Sequence, residues 1–83
     1  MKGKNLQKTI YRMIQDNWPI HVRETVGLLN WDPMEISNVT KVRYHFLELK
    51  KKELIRTKRI GRALVAWPTE MEKLRVIHEL LRE

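Results

Sequence analysis

The sequence predicts a small, mainly α-helical domain that carries one β-hairpin. Apolar residues recur at three- and four-residue spacing in four segments, which is the pattern of amphipathic helices. Two short runs rich in apolar and β-branched residues flank a Gly-Arg pair, which is typical of a hairpin. The chain has 83 residues, 42% of them hydrophobic and 33% charged, so it has room for one modest core.

Two helices are predicted before residue 31. The first covers residues 5–17, with Asn5 as its cap. Pro19 favours extended backbone in the residue before it, so a short extended stretch is expected at residues 18–20, followed by a second helix over 21–29. Their inward stripes are Leu6, Ile10, Met13 and Ile14 in the first helix and Val22, Val26 and Leu29 in the second.

A long third helix is predicted over residues 36–52. Its start is open between two signals, because Asp32 to Glu35 form a capping box with a proline in the first turn, whereas Ser37 could cap a later start. Either start leaves the same apolar stripe, which consists of Ile36, Val39, Val42, Phe46 and Leu49.

The hairpin is predicted over residues 54–67, with its turn at Gly61-Arg62. Thr69 begins a second capping box, so a last helix is expected over residues 69–82. No linker or repeat interrupts the sequence, and residues 1–83 are predicted to form a single domain.

Positive charge is concentrated in one part of the chain. The net charge is +7, and residues 41–62 alone hold nine basic and two acidic residues. The charges of the flanking segments nearly cancel. A polyanion such as nucleic acid is the natural partner for a field of this kind, although a solvated basic face is the simpler interpretation.

The third helix and the hairpin share a specific pattern. It comprises Val42, His45-Phe46, Leu49, Leu54-Ile55, Arg59-Ile60-Gly61-Arg62 and Trp67, within residues 18–68. The pattern resembles the recognition helix and wing of the winged helix-turn-helix transcriptional regulators, in the manner of the ArsR-like and MarR-like families. The resemblance implies three helices, a two-stranded wing and, in this chain, an extra C-terminal helix. Glu53 departs from the glycine usual at the exit of the recognition helix, and the segment before that helix is longer than the short turn of the family.

The resemblance implies sequence-specific binding of double-stranded DNA by a transcriptional regulator of a prokaryotic or viral genome, located in the cytoplasm. The residue types suit this role, because arginine can bridge two acceptors of guanine and asparagine can pair with adenine. The implied contacts of the recognition helix are Asn38, Thr40, Lys41, Arg43, Tyr44 and Lys51. The implied wing contacts, on the phosphate backbone or in the minor groove, are Lys58, Arg59 and Arg62.

The last helix is the candidate for a homodimer interface. Its apolar stripe consists of Met71, Leu74, Ile77 and Leu81, and Val76 and Leu80 make the apolar surface wider than one small domain needs. Packing on the first helix of the same chain is an equal alternative. A homodimer would present two basic units about one turn of DNA apart and would predict a palindromic site.

Other functional classes find little support. The chain has no cysteine, one serine and no glycine-rich phosphate loop, so an enzyme is not expected. His21 and Glu24 have half-site spacing, but no other ligand joins them, and neither a metal nor a cofactor is predicted. No segment is apolar enough for a membrane span. Two alternatives are kept open. The chain could be a winged-helix module that docks on a protein of a transcription or replication assembly, or its ligand could be structured RNA instead of DNA.

Overall fold

Six regular elements precede a final helical segment. The computed structural model describes residues 3–71. The elements are α1 (Gly3–Asn17), β1 (Ile20–His21), α2 (Val22–Leu28), α3 (Ile36–Lys51), β2 (Ile55–Ile60) and β3 (Ala63–Pro68). Residues 69–71 are helical, and the remainder of the helix predicted over 69–82 lies outside the described residues.

The sheet has three antiparallel strands in the order β1-β3-β2, and this corrects the two-stranded wing of the prediction. The extended stretch around Pro19 becomes a strand because Ile20 and His21 pair with Ala66 and Val65. Pairing satisfies backbone groups of β1 while the Ile20 side chain is buried in the core. The fold class is therefore mixed α/β rather than mainly α, and it is compatible with the expected winged-helix arrangement.

The hairpin predicted over 54–67 is formed by β2 and β3, with Ile60 opposite Ala63 and Ile55 opposite Pro68. A two-residue turn, Gly61-Arg62, joins the strands. Gly61 has a φ of 61°, whereas the φ of Arg62 is not positive. A positive φ at the first turn residue alone is the type II′ pattern. A β-carbon at Gly61 would meet nothing within 4 Å, so the tip projects into open space.

Helix ends differ from the predicted ones for identifiable reasons. Helix α1 begins at Gly3 instead of at a cap on Asn5, because asparagine inside a first turn costs a helix little. Helix α2 is shorter than 21–29 at both ends, since His21 is its N-cap and Leu29 its C-cap. The His21 Nδ1 atom accepts from the Glu24 backbone N–H at 3.2 Å. The Glu24 carboxylate accepts from the His21 backbone N–H at 3.4 Å, which completes a capping box.

Helix α3 begins after Glu35, so neither Asp32 nor Ser37 is its cap. The Glu35 side chain makes no capping hydrogen bond. Asp32 instead closes a turn before the helix, accepting at its carboxylate from the Met34 N–H and at its carbonyl from the Glu35 N–H. The helix ends at Lys51, with Lys52 as the C-cap.

One hydrophobic core joins the three helices and the sheet. Ile36, predicted to belong to the buried stripe of α3, is 76% exposed. A helical side chain covers the turn that precedes it, and no such turn exists at the first residue of a helix. The buried apolar residues are Leu6, Ile10, Ile14, Ile20, Val22, Val26, Val39, Val42, Phe46, Leu49, Ile55, Leu64 and Ala66.

Helices α2 and α3 both end in a Schellman motif. At the end of α3, the Leu54 N–H donates to the Leu49 carbonyl and the Glu53 N–H to the Lys50 carbonyl. Glu53 has a φ of 63°, in the left-handed region that favours glycine. Asn30 has the same role after α2, with a φ of 61°. The first strand of the hairpin, β2, therefore begins two residues after the strained Glu53.

Replacing Glu53 with glycine should raise the free energy of unfolding by about 0.5–1 kcal/mol. Relief of the left-handed β-carbon is worth about 1–2 kcal/mol, and the greater freedom of glycine in the unfolded chain offsets part of it. Lys51→Gly, at the last residue of the helix, should instead lower stability, by up to about 1 kcal/mol. Denaturant melts of both variants test the assignment, and a loss of stability in Glu53→Gly would contradict it.

Candidate nucleic-acid interface

The outward face of α3 is a row of exposed polar, basic and aromatic side chains. It lies opposite the stripe that packs into the core, so the periodicity of the helix fixes which residues face solvent. Leu47 and Lys50, which sequence reasoning did not single out, are exposed on the same helix. The exposed predicted contacts are Thr40, Lys41, Arg43, Tyr44 and Lys51.

Asn38 is not part of this exposed row. Its side chain is half-buried, and its amide nitrogen donates to the Asp32 carbonyl at 3.1 Å. This bond ties the first turn of α3 to the segment that precedes it. The position therefore has a structural task, and the base contact predicted at Asn38 stays a prediction.

The basic side chains of α3 and of the hairpin are exposed. His21 and Glu24 form an ion pair at 3.0 Å. Within residues 3–71, seven exposed basic residues that follow residue 40 have no carboxylate within 4.0 Å of their charged groups. The residues concerned are Lys41, Arg43, Lys50, Lys51, Lys58, Arg59 and Arg62.

The segment between α2 and α3 spans residues 29–35 and is fixed by several contacts. After the left-handed Asn30, the Trp31 N–H donates to the Val26 carbonyl at 3.1 Å, and the indole packs against the core. Arg23 donates to the Pro33 carbonyl at 2.6 Å. The Lys41 ammonium lies 5.5 Å from the centroid of the Trp31 ring, within the range of a cation–π interaction.

Trp31 and Lys41 line a surface groove, which we call the Trp31 groove. Its volume is about 780 Å³, within the range of sites for small ligands. The groove lies beside the exposed face of α3 and shares three predicted contacts with it. Its lining residues are Leu6, Trp31, Ser37, Thr40, Lys41, Tyr44 and His45.

Tyr44 is 52% exposed and interacts with two side chains of its own helix, His45 and Glu48. Its ring meets the His45 imidazole edge-on, with 5.3 Å between the centroids. The nearby Glu48 carboxylate raises the pKa of Tyr44 above its usual value, first by charge repulsion of the phenolate and then by accepting a hydrogen bond from the hydroxyl. The single hydroxyl hydrogen of Tyr44 is therefore donated to Glu48.

His45 is buried and linked to α1 through Gln7. The Gln7 Oε1 atom accepts from the Lys52 ammonium at 2.6 Å, which orients the amide so that its nitrogen donates to the His45 Nδ1 atom, 3.3 Å away. Nδ1 must then be unprotonated. Burial lowers the pKa of His45 below its usual value, and the charges of Lys41 and Lys52 act in the same direction, against an opposing effect of Glu48.

Folding should therefore become less favourable as pH falls through the usual range of histidine. The unfolded chain takes up the His45 proton at a higher pH than the folded one, so the contribution to stability is complete above about pH 7 and is lost towards the lowered folded pKa. Thermal melts between about pH 5 and pH 8 should show this slope, and His45→Gln should reduce it. An unchanged slope in that variant would assign the effect to other groups.

The remaining predicted sites have different outcomes. Met71 is half-buried, while the other proposed dimer residues, Leu74, Ile77 and Leu81, lie outside the described residues. His21 and Glu24, considered as a metal half-site, cap α2. Within residues 3–71 no group of three or more potential metal ligands is found. No helix in that part of the chain is both long and apolar enough to cross a bilayer.

Comparison of the chain with protein-family models, with characterised proteins and with solved structures finds no match.

Proposed function

We propose that the protein binds double-stranded DNA as a winged-helix transcriptional regulator. Helix α3 enters the major groove, and the hairpin formed by β2 and β3 acts as the wing. The observation that carries the proposal is the exposure of basic side chains on two elements, Lys41, Arg43, Lys50 and Lys51 on α3 and Arg59 and Arg62 on the hairpin. A core does not require positive charge at any of these positions.

Binding has two components in this proposal. The wing and the lysines at the end of α3 attract phosphates, which gives affinity without regard to sequence. The exposed face of α3 supplies base contacts, with Arg43 suited to guanine and Thr40 or Leu47 to the methyl group of thymine. The core beneath α3 holds this face in a fixed orientation, which base readout needs.

The test is fluorescence-anisotropy titration of a random duplex of about 30 base pairs at about 50 and about 200 mM salt. Each pair of phosphate contacts should make binding about tenfold weaker at the higher salt. A competing duplex RNA should be a poor substitute, because its narrow major groove does not admit a helix. Absence of binding at the lower salt, or affinity independent of salt, would overturn the proposal.

Arg43→Ala should weaken binding to the preferred sequence by about 1–3 kcal/mol and relax specificity. Arg62→Ala, at the hairpin tip, should weaken preferred and random duplexes alike. The measurement is the ratio of the two affinities for each variant, after selection of the preferred site. Equal losses on both duplexes for Arg43→Ala would remove base readout from that residue.

A homodimer completes the proposal. Two copies joined through Met71, Leu74, Ile77 and Leu81 would present two α3 helices to successive major grooves of a palindromic site. Sedimentation of the chain alone and on a selected site gives the stoichiometry. A single copy bound to an asymmetric site would exclude this arrangement.

A second candidate is an interaction module for a protein of a transcription or replication assembly. Exposed apolar side chains near the α2–α3 connection favour it, namely Leu28 (47%), Met34 (80%) and Ile36 (76%). Docking through these side chains would be largely insensitive to salt. Association of that kind, together with no affinity for DNA at low salt, would select this candidate.

A further inference from the structure

The wall of the Trp31 groove is held in place by hydrogen bonds of the segment between α2 and α3. Trp31 follows the left-handed Asn30 and is tied to α2 by the bond to the Val26 carbonyl. Arg23 holds the next part of the segment at the Pro33 carbonyl. Neither the packing of the core nor the hairpin requires a groove at this place.

The lining combines aromatic surface with one cation. Lys41 is the only basic residue among the groove residues, and Trp31, Tyr44 and His45 supply rings. Carboxylates lie at the margins, where Glu35 accepts from the Ser37 hydroxyl at 3.2 Å and Glu48 bonds to Tyr44. An anionic group is therefore directed to Lys41, and a planar ring to the aromatic surface.

We propose that the Trp31 groove binds one unstacked nucleotide, with its base on Tyr44 and its phosphate on Lys41. The ammonium of Lys41 lies over the Trp31 ring and can pair with a phosphate on its outer side. The Tyr44 ring is half exposed, and its edge contact with His45 gives it a defined orientation for stacking. Thr40 also lines the groove.

The same chemistry has two possible sources, a free mononucleotide and an unpaired nucleotide at the end of a DNA strand. Thr40, Lys41 and Tyr44 line the groove and also belong to the face proposed to read duplex DNA. A free nucleotide should therefore compete with a blunt duplex. This competition rests on the proposed DNA binding, whereas occupation of the groove by a nucleotide does not.

The experiment is a tryptophan-fluorescence titration of the whole chain with AMP, adenosine and inorganic phosphate. AMP should quench the signal, while adenosine and phosphate should each bind at least about tenfold more weakly, because each lacks one half of the contacts. Trp31→Phe should abolish the quenching and so identify which tryptophan reports. Lys41→Met should weaken AMP about tenfold, and Lys8→Met, an equal loss of charge on α1, should not.

Two further arms identify the source. If AMP fails to bind, a duplex with a single-stranded overhang should bind about tenfold more tightly than a blunt duplex, in a manner that depends on Tyr44. No response to AMP together with no preference for the overhang would overturn the proposal, as would quenching that Trp31→Phe or Lys41→Met leaves unchanged. AMP quenching without any affinity for duplex DNA would support the groove while refuting the proposed function.

Discussion

Phe46→Ala is expected to lower the free energy of unfolding by about 3–5 kcal/mol. Phe46 lies on α3, is fully buried and belongs to the single hydrophobic core. Truncation removes its transfer free energy and leaves a cavity that the rigid surroundings fill only in part. A domain of this size has a stability of roughly 4–12 kcal/mol, so the variant would be close to unfolding at ordinary temperature.

Leu47 provides a matched control one residue further along the helix. It is 50% exposed, so Leu47→Ala should change stability by no more than about 0.5 kcal/mol. Urea melts of the two variants determine which side of α3 faces the core. A larger loss for Leu47→Ala would mean that the helix is rotated, and that the face proposed to read DNA points elsewhere.

The sequence contained enough information for helices α1, α2 and α3 and for the hairpin. Buried residues such as Ile10, Val42 and Phe46 recur at helical spacing, and Gly61 is placed where a tight turn needs a positive φ. Strand β1 was recognised only as an extended stretch. Two residues are too few for a periodic signal, and their pairing depends on β3, which lies more than forty residues away in the chain.

Helix ends were harder to predict than helices. Capping preferences favoured Asn5 for α1 and Asp32 or Ser37 for α3. In the structure α1 begins at Gly3, before Asn5, and α3 begins after Glu35. Each alternative differs by about 1 kcal/mol or less, and tertiary packing outweighs such a difference. The departure at Glu53 was visible in the sequence, whereas its backbone strain became visible only in the structure.

Charge and residue type predicted which side chains belong to the candidate interface, but they did not predict the contacts among those side chains. Exposed Lys41, Arg43 and Tyr44 follow from helical phase. Gln7 bonds to His45 and to Lys52, which follow it in the chain by 38 and by 45 positions. No local sequence pattern could indicate contacts over such separations. Trp31 was also missed, because its position beside Lys41 depends on the left-handed turn at Asn30.

Replacing both Arg59 and Arg62 with alanine is expected to cause the largest loss of DNA affinity. Both side chains are exposed at the hairpin tip, which projects into open space and can reach a phosphate backbone without a change in the fold. Each lost phosphate contact should reduce the slope of log affinity against log salt by about 0.9 and weaken binding about tenfold at 50 mM salt. The double variant should thus bind about a hundredfold more weakly, on preferred and random duplexes alike.

The control is Lys8→Ala with Arg12→Ala, which removes the same charge from the exposed side of α1. This pair should act only through the long-range field, which salt screens beyond about 10 Å at 0.1 M, so its effect should be small at moderate ionic strength. Anisotropy titrations of both double variants across a salt series separate contact from net charge. Equal losses would show that overall charge drives binding, and the hairpin would then have no specific place on the DNA, because only a residue that touches a phosphate changes the slope by a full contact.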